Sequence, residues 1–163
     1  IGAWPDCDML PLGRIGIRSH HGDRQTRFTK DEQMTLMALW CIFRSPLMFG
    51  GDMVYNDDWT LGLMTNKDLL RMVKYGTEVR ELVRTKNMAV WTSKDEENRD
   101  VYLAQFNIGE EELTIETNLS ELNISGEVNI INVFDKESKK VEGKIVSVVP
   151  PHGVRAYKIV KQN

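Results

Sequence analysis

The sequence predicts an α+β chain in two parts, parallel βα units first and an antiparallel β-sandwich after them. Two observations carry this. Up to about Tyr75, apolar residues recur at helical spacing between short apolar runs. Beyond Gly76 the period drops to two, and turn-forming clusters cut the chain into short alternating segments. The parts are placed at residues 1–76 and 77–163.

In the first part the opening stretch is WPDCDMLPLG, Trp4 to Gly13, two carboxylates in an apolar frame. Residues two apart in an extended stretch point to the same side, so Asp6 and Asp8 are positioned to share a site. Two carboxyl groups about 5–5.5 Å apart are what a retaining glycosidase needs. The other reading is a loop anchor, with both aspartates accepting hydrogen bonds from backbone and nearby arginines. A Gly- and Arg-rich loop follows, LPLGRIGIRSHHGDRQTRF, carrying His20 and His21. Thr29 with Glu32 forms a capping box. It opens a helix from Lys30 to about Phe43, apolar round most of its circumference and therefore covered on more than one side. Pro46 is expected to end it. PLMFGGDM then reads as a buried strand emptying into a turn at Gly50 and Gly51, with Asp52 capping that turn or reaching the mouth of a site. Asp57, Asp58 and Thr60 cap a further helical stretch, broken near Thr65 and Asn66.

Seven strands are expected in the second part: VRELVRT, NMAVWTS, DVYLAQFNI, ELTIETN, EVNIINVFD, KIVSVV and VRAYKIV. KESKK and PPHG are read among the turns between them. Strands this short and this numerous indicate an antiparallel sandwich. Trp91, Tyr102 and Phe106 are read as core or sheet-face aromatics, and Met34, Met37, Trp40 and Met48 as core.

Composition excludes several functions. Apolar residues are 41% and charged residues 28% of the 163, and the net charge is −3. Such a chain has no electrostatic pull toward nucleic acid or an anionic membrane. No stretch approaches the roughly 18 apolar residues of a membrane helix. Cys7 and Cys41 make no disulfide framework and are expected as two buried free thiols. Asp6, Cys7, Asp8, His20, His21 and Asp23 carry metal-ligand atoms. Adjacent histidines do not match a usual ligand spacing, however, and no CxxC or HxxxH occurs, so no metal and no cofactor is expected. IGAWPDCDM has no initiator Met and no signal-peptide regions, and reads as the interior of a longer chain. Two βα units must bury their strands on both faces, and a full (β/α)8 barrel takes about 250 residues. Standing alone, the strand–helix pieces around Leu36–Phe43 and Leu47–Phe49 would leave apolar surface bare, so self-association or a rearranged N-terminal half is expected.

WPDCDMLPLG, FTKDEQMTLMALWCIFRSPLMFGGDM, TLGLMTNKDLL and PPHGVRAYKI, in this order, resemble glycoside hydrolase family 27, the α-galactosidases and α-N-acetylgalactosaminidases. The family's W-N-D-P-D-M-L motif is altered here, with Pro5 for its Asn and Cys7 for its Pro, and both aspartates are kept. The resemblance implies the last βα units of a (β/α)8 barrel followed by a β-sandwich, in a retaining exo-glycosidase acting on terminal α-galactosyl residues of galactosides. It implies that nucleophile and acid/base lie on earlier strands, so that no catalytic residue is present in this chain. Asp8 and Met9, at the C-terminal end of the seventh strand, would line the sugar pocket. Asp6, His20, His21 and Asp52 would stand on its surrounding loops. The family also implies a secreted or periplasmic location. The non-catalytic alternative is a carbohydrate-binding or structural sandwich module.

Overall fold

The computed structural model of the chain describes residues 4–17 and 19–160. Its first half runs β1 (Met9–Leu10), β2 (Arg14–Ile15), β3 (Arg24–Gln25), α1 (Lys30–Ile42), β4 (Met48–Phe49), α2 (Asp58–Met64) and α3 (Lys67–Tyr75). The stretch read as one long loop thus holds a strand and a small hairpin. β1 and β4 pair in parallel, Met9 opposite Met48 and Leu10 opposite Phe49.

The capping box at the start of α1 is formed. Thr29 Oγ1 accepts from the Glu32 amide at 3.2 Å, and Glu32 Oε2 accepts from the Thr29 amide at 2.7 Å. The helix ends before Pro46 takes effect, because Arg44 turns left-handed at φ 65°. Its amide donates to Cys41 O at 3.2 Å and that of Ser45 to Trp40 O at 2.8 Å, the paired bonds of a Schellman motif. Proline constrains only the residue before it, so the left-handed residue decides the boundary. α1 packs against α2, α3 and the large sheet, as an apolar circumference requires. Gln33, on its buried side, ties down both ends of the hairpin loop. Its Oε1 accepts from Gly13 N at 3.2 Å, and its Nε2 donates to Phe28 O at 3.1 Å. The expected break between α2 and α3 is present. Asn66 caps α3 by accepting from the Asp68 and Leu69 amides at 3.1 and 3.3 Å.

α3 ends at Tyr75 and β5 (Gly76–Arg84) begins at the next residue, with no linker. A Cβ at Gly76 would lie 2.3 Å from Met72 O, so this abrupt junction requires glycine. The remaining strands are β6 (Met88–Asp95), β7 (Val101–Asn107), β8 (Leu113–Asn118), β9 (Glu127–Asn132), β10 (Ser138–Glu142), β11 (Lys144–Val149) and β12 (Val154–Val160). Among the described residues the second half therefore has eight strands rather than seven. The unexpected one, β10, falls partly on the KESKK segment read as a turn. It is an edge strand whose Lys139 and Lys140 are exposed, and charged edge strands lack an apolar alternation to betray them.

Six strands form one antiparallel sheet in the order β10-β9-β12-β7-β6-β5, and β8 pairs with β11 in a second. β7, in the interior of the large sheet, is buried along its whole length. On one face its Val101 and Leu103 join Ile115, Ile130, Ile145 and Ile159 in the core shared with β8 and β11. On the other face Tyr102, Ala104 and Phe106 join Ala89, Val154 and Ala156 in a core completed by Leu12, Met37, Ile42, Leu69 and Met72 of the first half. The result is a mostly-sheet α+β structure in which helices cover one face of the antiparallel sheet. Trp91 packs there with its ring 5.9 Å from that of Phe43. Cys41 is buried, and burial pushes its thiol up; Cys7 is only half-buried, contrary to expectation, because it lies in the irregular lead-in to β1.

Charged groups fasten the same junction. Asp68 on α3 accepts from Lys158 of β12 at 2.9 Å and from Lys136 at 2.8 Å. Arg71 spans both oxygens of the fully buried Asp95 at 2.9 and 3.0 Å. Burial pushes the Asp68 carboxyl up, but the hydrogen bonds and charges of the two lysines outweigh it and hold the group below the usual carboxylate range. Asp95 behaves alike, with burial outweighed by Arg71 and two backbone amides. A carboxyl lowered in the folded state stabilises above its unfolded value, near 4, and the contribution is lost as pH falls through the folded value. We expect the melting temperature to decline below about pH 4, with the decline reduced in Asp68→Asn; scanning calorimetry from pH 7 to 2 measures both.

Candidate functional site

The candidate site is the β1–β4 pair and the loops leaving it. Leu10 faces the core at 3% exposure, while Met9 and Met48 face outward at 50% and 56%. The strand read as buried, and Met48 read as core, are thus half uncovered. The reason is geometric: Leu10 and Phe49 pack against the core on one side of this two-stranded sheet, and Met9 and Met48 point to the other.

The structure separates Asp6 from Asp8 in conformation. Asp8 has φ 65°, so the stretch is not extended there and the shared-side spacing fails. Asp6 Oδ1 accepts from the Asp8 amide at 3.0 Å, and Asp8 Oδ1 accepts from the Met9 amide at 2.7 Å. Such local side-chain bonds are what hold an aspartate in the left-handed region. Trp40 of α1 reaches the Asp8 carbonyl at 3.4 Å, and the Cys7 amide donates to Ser45 Oγ at 3.1 Å. Asp8 immediately precedes β1 and Met9 opens it. They therefore stand at the N-terminal end of β1.

Asp52 leaves the C-terminal end of β4 as a turn cap. Its Oδ1 accepts from Val54 N at 2.8 Å, and its own amide donates to Arg14 O at 2.7 Å. Ahead of it the chain must pass tightly. A Cβ at Gly51 would meet Leu12 O at 2.3 Å and the Phe49 ring at 2.5 Å. His20 and His21 lie on the turn of the β2–β3 hairpin, exposed, with ring centroids 4.0 Å apart. Among the described residues no hydrogen bond joins them to Asp6, Asp8 or Asp52. Nor do three His, Cys, Asp or Glu side chains among the described residues come close enough to hold a metal ion. In the sandwich, Tyr102 and Phe106 are buried and offer no bare ring face to a sugar.

Sequence reasoning passed over Arg14. Its guanidinium forms a two-point pair with Asp23 across the hairpin, Nε to Oδ1 at 2.8 Å, and lies 4.5 Å from the Tyr55 ring centre. The Arg14 hydrogen bond holds the Asp23 carboxyl below its ordinary value. The available signal was a hairpin register placing Arg14 opposite Gln25, which needs β2 and β3 to be recognised first.

Residues 85–159 match the family model described as the alpha galactosidase C-terminal beta sandwich domain. Alpha-galactosidase 2 of Arabidopsis thaliana is 25% identical, in an alignment covering 99% of this chain and 39% of that protein. The crystal structure of a GH27 β-L-arabinopyranosidase from Geobacillus stearothermophilus is 43% identical with TM-score 0.91, over 98% of this chain and 38% of that one. Alpha-galactosidase I of Mortierella vinacea, at 18% identity and TM-score 0.81 over 99% of this chain and 40% of its own, shares the fold. The matches define first a class, a glycosidase-type C-terminal β-sandwich with helices packed on its large sheet. These matches support a C-terminal section of a glycoside hydrolase family 27 enzyme, and the chain spans only 19–39% of the length of the curated relatives it matches.

Proposed function

We propose that this chain is the C-terminal section of a retaining exo-glycosidase that removes terminal α-galactosyl residues. Residues 1–76 are the last βα units of a (β/α)8 barrel, and residues 77–163 are its sandwich domain. The observation that carries this is the β1–β4 pair, two parallel strands covered on one side and bare on the other. A parallel sheet is stable only with both faces covered, so the bare side is where the remaining barrel strands close. Asp8 and Met9 line the sugar pocket on that side, with Asp8 held by Trp40 and Asp6 acting as its anchor. His20, His21 and Asp52 sit on loops at its edge. The reaction is a double displacement through a covalent glycosyl-enzyme, and its two carboxylates come from the other strands. The carboxyls held low in this chain are engaged elsewhere: Asp23 with Arg14, Asp57 in a helix cap, Asp68 and Asp95 at the junction of the halves.

The purified 163-residue chain is expected to release no nitrophenol from nitrophenyl α-galactoside above the buffer rate. In a polypeptide carrying this segment with the other barrel strands, Asp8→Asn is expected to lower kcat/KM by about 100-fold, the loss of one or two charge-assisted hydrogen bonds. Turnover by the isolated chain would overturn the reading and return the Asp6/Asp8 pair to candidacy.

A further inference from the structure

The β2–β3 hairpin lines a recess. Pro11, Ile15 and Phe28 form its apolar wall, and His21, Arg24, Thr26 and Arg27 its polar one. Among the described residues no carboxylate lines it. The nearest acidic residue in sequence, Asp23, is committed to Arg14 on the other side of the hairpin. Glu32, at the start of α1, is committed to the Thr29 amide. Arg24 donates one guanidinium N–H to Gly22 O at 3.1 Å, while its Nε is shut off from solvent without a partner among the described residues. Arg27 is exposed and has no carboxylate within ion-pair distance among the described residues.

We infer that this recess binds a sugar unit bearing an oxyanion, a carboxylate in the first instance. A guanidinium fork matches carboxylate oxygens in plane, and two arginines converging on one recess select charge over a neutral hydroxymethyl group. Phe28, 39% exposed, supplies a ring face for the C–H side of a pyranose. The hairpin leaves β1 through Leu12 and Gly13, so the acidic unit would be a neighbour of the cleaved sugar in a branched or acidic glycan. The inference rests on the glycosidase reading for the kind of ligand, and on the recess itself for its charge.

Calorimetric titration of the 163-residue chain at low ionic strength with galacturonate, galactose and acetate tests it. Galacturonate is expected to bind at least about tenfold more tightly than galactose, one charge-assisted hydrogen bond being worth that much, and more tightly than acetate, which has no pyranose ring to lie on Phe28. Arg24→Gln and Arg27→Gln should each weaken it by a similar factor. Arg27 is on the surface, so its variant keeps the test intact should Arg24→Gln fail to fold, which circular dichroism reports. Equal affinity for galactose or acetate, or unchanged binding in Arg27→Gln, overturns the inference. Neither result touches hydrolysis of neutral galactosides by a polypeptide carrying all the barrel strands, which stands or falls by its own assay.

Discussion

Residues 77–163 prepared alone are expected to lose cooperative folding, although residues 85–159 match a family domain model. The reason is that one face of the large sheet has its cover in the other half. Tyr102, Phe106, Val133 and Val154 are each at most 3% exposed, buried against Leu12, Met37, Ile42, Leu69 and Met72. Uncovering four such side chains forfeits on the order of 10 kcal/mol at the usual value per buried apolar residue. The net stability of a domain is only about 5–15 kcal/mol, so the loss is comparable with the whole. The piece would also lose the Asp68–Lys158 and Arg71–Asp95 pairs across the junction. A collapsed state without sharp amide NMR dispersion is expected, against a two-state melt for the intact chain. A melt of 77–163 matching that of the intact chain would show instead that the halves are independent domains.

This junction also marks the limit of what could be read from residues. The period change near Tyr75 located the switch from helix to strand within a residue, because alternation and helical spacing are local properties. The capping box and the Thr65–Asn66 break were legible for the same reason, each being closed by side chains within three residues. What alternation cannot report is which side of a strand meets which other element. The two-sided burial of β7 therefore emerges only in the fold, and with it the fusion of the two halves into one core. β10 escaped because an exposed edge strand is written in lysines. The same-side spacing of Asp6 and Asp8 failed at one backbone angle. An aspartate at φ 65° looks in sequence like any other residue of an extended run, and the geometry inferred for Asp6 and Asp8 depended on that angle alone. Likewise Arg44, not Pro46, ends α1, since a left-handed arginine has no compositional mark.

The intact chain on its own is expected to self-associate, and Met9→Lys with Met48→Lys to make it monomeric. The apolar surface predicted to be bare is indeed partly bare, but not where α1 lies: Leu36, Leu39, Trp40 and Phe43 are partly buried against the core. It lies on the outer side of β1 and β4 and on the loop beyond. Met9 and Met48 are paired there, a Cβ at Gly50 would touch Met9 Cβ at 3.0 Å, and Gly50 shares a recess with Ile17, Met53 and Val54. Met53 and Val54 are 76% and 82% exposed, values rare for a methionine and a valine that adjoin other apolar residues. The backbone adds a second drive, because two parallel strands without outer neighbours present unpaired edges. A lysine at position 48 places charge at the centre of the patch and leaves the buried side, Leu10 and Phe49, untouched. Sedimentation velocity at about 50 μM is expected to resolve dimers or larger species for the parent and a single monomer boundary for the double variant, with equal melting temperatures when dilute. A strictly monomeric parent at that concentration would mean that this face is stable in water as it stands, and the proposal that further barrel strands close on it would lose its physical motive.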